Sequence, residues 1–159
     1  MKKSILFLLL ILTALLAAGC GESKPDASAQ PALDKSVPLN QKVEALFADA
    51  KDLSPLDADD LSDAAGIEPE DYSEFVYLQD SGLGGREILV IRAADKDAAG
   101  RIVQQMENYL EMRRKETRNY LPEAYQLLAQ AKVETKGLTV ALISGPSAAE
   151  ETKAMLAGE

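Results

Sequence analysis

The sequence predicts an α+β domain: an antiparallel sheet of two hairpins, about four strands in all, packed against one long central helix with short helices at its flanks. Two pairs of strand-like segments, each joined across a glycine-containing turn, are kept apart from the helical segments instead of alternating with them. One helical stretch after Asp95 is far longer than the others. The length of 159 residues suits one domain with room for an appendage.

Helical spacing begins at Asn40, the expected N-cap, with Val43, Leu46, Phe47 and Ala50 at i, i+3, i+4 and i+7. A second, shorter helix follows an Asp57 cap, with Leu56 and Leu61 placed as a hydrophobic staple and Gly66 as its stop. Glu74 to Gln79 and Glu87 to Ala93 read as a hairpin across the glycine-rich Asp80–Gly85 loop. The unbroken Ile88–Ile91 run marks an inner strand. Asp95 caps the long helix, whose inner stripe is Ala99, Ile102, Val103, Met106, Leu110 and Arg113. That helix must end before Pro122, which suits the first turn of the next one, to Gln130. Val133–Thr135 and Leu138–Ser144 pair across Lys136-Gly137, and Ser147 to Glu150 forms a capping box opening a last helix. The sheet is expected to be covered on one face.

Ahead of this domain, expected over residues 40–157, lie two other segments. Residues 1–19 read as a secretory signal peptide: Lys2 and Lys3, then Ile5–Ala18 with Thr13 its only polar residue, then small residues. The apolar block is too short for a comfortable bilayer span of about 20 residues. Ala18-Gly19-Cys20 resembles the processing site of bacterial lipoprotein precursors, in which the cysteine is diacylated and the chain is cut just before it. Ala17 stands where that pattern usually has leucine. Residues 20–39, with Pro25, Pro31 and Pro38 among small and polar residues, read as a flexible tether behind a lipidated Cys20.

Composition excludes several function classes. There is no histidine, hence no imidazole zinc ligand and no Ser-His or Cys-His pair. One cysteine permits neither an internal disulfide nor a thiolate cluster. The net charge of −9 argues against nucleic acid as a partner. No cofactor or metal is expected.

The acidity is concentrated in one segment. Residues 44–80 hold twelve acids against one lysine, whereas residues 81–159 hold eleven acids and eleven bases. Asp57, Asp59 and Glu68 fit three positions of an EF-hand loop, but Leu61 and Ser62 stand where a ligand and a turn glycine are needed, so a solvated acidic face is the better reading. Asp59, Asp60 and Asp63 are then candidates for a partner-facing surface. Arg113, Arg114 and Arg118 form a basic cluster with Lys115, a candidate for anion contact or for facing an anionic membrane. The alternative for them is service to the helix dipole and to Glu111. Gly82-Leu-Gly84-Gly85 lacks the strand–loop–helix setting of a phosphate loop and reads as a hairpin connection. Tyr109, Tyr120 and Tyr125 are candidates for a shallow groove or for core packing.

Asn119 to Leu128, Val133 to Ser144, the Leu61–Tyr72 stretch and the E-I-L-V-I strand together resemble a family of Firmicutes lipoproteins known only as a domain of unknown function, family 4358. The resemblance covers most of residues 40–157 and implies an extracytoplasmic, membrane-anchored location and this fold type, with no site to carry over. The function expected is a non-catalytic binding or adaptor module, lipid-anchored on the outer face of a cell membrane, with an envelope protein or a small ligand as partner. The alternatives are an envelope hydrolase using paired carboxylates and a passive surface or spacer lipoprotein.

Overall fold

The computed structural model describes residues 37–81 and 84–159, and the leader, Cys20 and nearly all of the tether lie outside them. Its elements run in the order α1 (Leu39–Leu46), β1 (Ser54–Pro55), α2 (Ala58–Ala65), β2 (Tyr72–Gln79), β3 (Glu87–Ala93), α3 (Lys96–Thr117), α4 (Pro122–Gln130), β4 (Val133–Lys136), β5 (Thr139–Ser144) and α5 (Ala148–Leu156). The α+β class holds, and α3, with 22 residues, is the long helix.

The two hairpins join through their inner strands into one antiparallel sheet of order β1-β2-β3-β5-β4. The fifth strand, β1, is a two-residue edge that Leu56 extends by donating its amide to the Tyr77 carbonyl. The expectation of one covered face is corrected: both faces are packed. On one side Leu89, Ile91, Val140 and Leu142 meet Leu61 of α2, Ile102 and Met106 of α3 and Leu128 of α4. On the other side Ile88, Val90, Ala141 and Ile143 meet Val43 of α1, Phe47 and Met155 of α5. Strands apolar at every position have two apolar faces, and both must leave water.

Local signals hold at most helix ends. Asp57 and Asp60 form a reciprocal capping box, Gly66 closes α2 at φ +66°, and Asp95 accepts the Ala98 amide. Two expected caps are corrected. Asn40 sits inside α1, because the Leu39 amide donates to Glu74 Oε1 at 2.5 Å and the sheet takes over the capping role. Ser147 precedes α5 without a side-chain cap; backbone bonds from Ala148 to Gly145 and from Glu151 to Ser147 close that turn instead. The packed unit also reaches Leu39 and Glu159, just beyond the expected edges.

Gly85 pins the first hairpin to α4. Its φ is +80°, and a Cβ there would lie 2.8 Å from the Ala124 backbone. Gly85→Ala is expected to cost about 2 kcal/mol, from left-handed strain and overpacking together. Urea unfolding checks this; a loss below a few tenths would mean the loop yields freely.

Candidate functional site

The sheet has two distinct ends, and the long helix connects them. At one end β2 begins, β3 finishes and α3 departs; there Glu74 holds the Leu39 amide and Arg92 donates to the Val37 carbonyl at 3.4 Å. The N-terminal segment therefore reaches the domain at this end. At the other end stand Gln79, Glu87 and Ser144, and there α3 turns into α4. The separation is set by α3, roughly 33 Å at about 1.5 Å per residue.

Beneath the far end lies a buried polar network. Glu87, 1% exposed, opens the central strand. Arg113 lies 3.7 Å from its Oε2 and donates to the Tyr109 hydroxyl at 3.0 Å. Its guanidinium also sits 5.9 Å from the Tyr109 ring centre. The Tyr77 and Tyr109 hydroxyls bond at 2.7 Å, and Gln79 turns its amide oxygen toward Arg113. Glu87 Oε1 has no hydrogen-bond partner among the described residues. Burial raises the Glu87 carboxyl above its ordinary range, an effect that the Arg113 charge only partly offsets. Burial and the nearby Glu87 charge push Tyr77 up to about 12, and Tyr109 is raised for the same reasons.

On the surface above, the α3–α4 corner forms a polar cavity of about 270 Å³ lined by Glu111, Arg114, Lys115, Arg118, Tyr125 and Ala129. Arg114 is fixed there, donating to the Leu128 carbonyl at 2.9 Å and to the Ala131 carbonyl at 2.8 Å, both left without helical partners where α4 ends. Longer contacts follow to the Ala129 carbonyl at 3.5 Å and to Glu111 at 3.7 Å. Lys115 and Arg118 are exposed and make no ion pair among the described residues. Beside the corner, a second cavity of about 420 Å³ is lined by Gly84, Leu121, Pro122 and Tyr120, which is 83% exposed.

The structure thus divides the expected basic cluster. Arg114 and Arg118 share one cavity, whereas Arg113 points inward to Glu87, as its place on the buried stripe of α3 dictates. Lys115, Glu111 and Tyr125 complete the lining, the last brought in by the fold-back of α4. The tyrosines separate likewise: Tyr109 is core, Tyr125 lines the basic cavity, and Tyr120 projects into solvent. Asp59, Asp60 and Asp63 are exposed on α2, but Asp60 is engaged in the capping box. Among the described residues no group of three or more acids or cysteines is placed to hold a metal ion, and no helix is long and apolar enough to cross a membrane. Sequence reasoning did not single out Glu87, although an acid opening an otherwise apolar inner strand was its visible signal.

Fold and site together define a small two-faced α+β domain with a basic, tyrosine-lined corner opposite the end where its N-terminal segment attaches. A family model described as Domain of unknown function (DUF4358) matches residues 47–145, and the chain belongs to that family. No curated protein matches it. No solved structure matches it.

Proposed function

We propose that this chain is a lipoprotein of a Gram-positive bacterium, anchored through Cys20 on the outer face of the cell membrane, whose domain acts by non-covalent binding at the envelope. The observation that carries this reading is Cys20 itself. It is the only cysteine of the chain, and it falls directly after a cationic start, a short apolar block and Ala18-Gly19. Two acyl chains there give stable anchoring, where a single chain would be marginal. The binding role is supported by the α3–α4 corner, where Lys115 and Arg118, without ion pairs among the described residues, and a half-buried tyrosine line an open cavity. The test is Cys20→Ala in the native host with radiolabelled fatty acid. The expected result is loss of label, with the chain either released into the medium or left uncleaved. An unlabelled wild type, retained in the membrane fraction equally well with and without the cysteine, would refute the anchor.

A further inference from the structure

We infer that the α3–α4 corner is a binding site for a phosphodiester group, and that the group is carried by a molecule outside the anchoring membrane, not by the lipids of that membrane. The ligand class follows from the lining. Arg114 and Arg118, at i and i+4, lie on one face of α3, with Lys115 beside them and Tyr125 across from α4. Arg114 is held in place by two α4 carbonyls, so its charge is already oriented when a ligand arrives. Arg118 and Lys115 keep their donors for an incoming oxyanion, and a planar guanidinium matches the oxygens of a phosphate two at a time. A cavity of about 270 Å³ accommodates one phosphate with part of its substituents. The three cations outnumber Glu111 and attract any phosphate oxyanion; Glu111 narrows the advantage a doubly charged monoester would hold, and the open cavity beside Tyr125 leaves room for the two substituents that only a diester carries. In a chain with net charge −9, a corner whose cations outnumber its acids is where an anion is attracted.

The source of the group follows from the geometry and rests on the anchor reading above. Val37 and Leu39 are held at the Glu74–Arg92 end of the sheet, whereas the cavity lies along the last two turns of α3, toward the opposite end. In a chain anchored through residues before Val37 the tether leaves from the near end, so this corner is on average the part of the domain farthest from the anchor. This reverses the orientation suggested by charge alone, in which the basic cluster turns to the membrane.

The test uses the full chain in neutral detergent, so that it does not depend on acylation. A short glycerol phosphate oligomer and inorganic phosphate are titrated in by calorimetry, with Lys115→Glu/Arg118→Glu as the paired variant. Both positions are exposed and outside the core, so unchanged circular dichroism is the folding control. The diester oligomer should bind saturably, more tightly than inorganic phosphate, and at least tenfold more weakly to the variant; Glu111→Gln should narrow the difference between the two probes. Binding of neither probe, or binding that the variant leaves unchanged, overturns the site. In a second arm, vesicles of phosphatidylglycerol are compared with vesicles of phosphatidylcholine for the chain reconstituted through its own anchor. If phosphatidylglycerol alone protects Asn119→Cys, an exposed position next to Arg118 and outside the cavity lining, from a membrane-impermeant thiol reagent, the phosphate is a headgroup and the outward assignment is wrong. Equal labelling in both supports it. Because the first arm needs no anchor, a failed Cys20 experiment and a failed phosphate titration remain separate results.

Discussion

Replacing Arg113 by methionine will destabilise the domain by about 3 kcal/mol where Glu87 is ionised, at alkaline pH, and by much less near pH 4, around the unfolded glutamate value. Arg113 is the cation nearest to Glu87, which is 1% exposed and cannot turn outward from the central strand. Removing one partner of an enclosed ion pair leaves the other charge uncompensated, and that residual charge is the larger part of the cost. The pH dependence follows from linkage. Burial raises the Glu87 carboxyl in the folded state, so its contribution is fully favourable below the unfolded value and is lost as pH rises through the folded one. Methionine at 113 raises the folded value further and widens that window, while a protonated Glu87 needs no counter-charge. Glu87→Gln makes the complementary case. It should match or exceed the wild type by up to about 1 kcal/mol at neutral pH and flatten the stability profile, since the amide carries no charge to desolvate. Denaturant titrations across the pH range decide this. A loss for Arg113→Met that is the same at every pH would assign Arg113 a packing role alone.

The elements that were legible in the sequence are those specified by neighbours in the chain. Asp57, Gly66, Asp95 and Pro122 act on amides and carbonyls within one turn, and each sits where spacing placed it. What was not legible depends on contacts between distant segments. Asn40 has every property of an N-cap, yet Glu74, from a strand 34 residues on, supplies the first-turn acceptor instead. The second covered face was encoded in the unbroken Ile88–Ile91 and Val140–Ile143 runs, but a run alone does not say which helices cover it. Lys42 carries no sign of burial in the sequence, yet it is fully buried, because its partner Glu159 packs against the start of β5 beside α1. The candidate site shows the same division. The i, i+4 pairing of Arg114 and Arg118 is visible in sequence, whereas the Tyr125 wall and the anchoring of Arg114 by α4 carbonyls exist only once α4 folds back.

Truncating Glu159 to alanine will lower stability by about 3 kcal/mol, a fall in Tm on the order of 10 °C, although the residue lies far from either cavity. Its Oε1 accepts from Lys42 Nζ at 2.6 Å, its Oε2 accepts from the Thr139 hydroxyl at 2.9 Å, and Arg92 stands 3.8 Å away. Lys42 is 0% exposed and pairs with no other side-chain carboxylate within 4 Å among the described residues, so without Glu159 its ammonium is enclosed and uncompensated. The pair also joins α1 to the start of β5, so its loss frees the end of the domain where the N-terminal segment attaches. Burial alone would raise the Glu159 carboxyl, but Lys42, Thr139 and Arg92 together outweigh it and hold the group below its ordinary value. A depressed folded value means the stabilisation is present above the unfolded value, near 4.3 for glutamate, and is lost as pH falls through the folded one. The penalty of Glu159→Ala should therefore be full at neutral pH and shrink in acid, where the wild type has itself lost the pair. Replacing both partners, Lys42→Met with Glu159→Leu, should recover most of the loss, because apolar side chains of similar volume fill the site without desolvating charge. Thermal melts of the single and double variants at neutral and acid pH measure all of this. A single variant within a degree of the wild type at neutral pH, or a double variant no better than the single, would show that this ion pair does not hold α1 to the sheet.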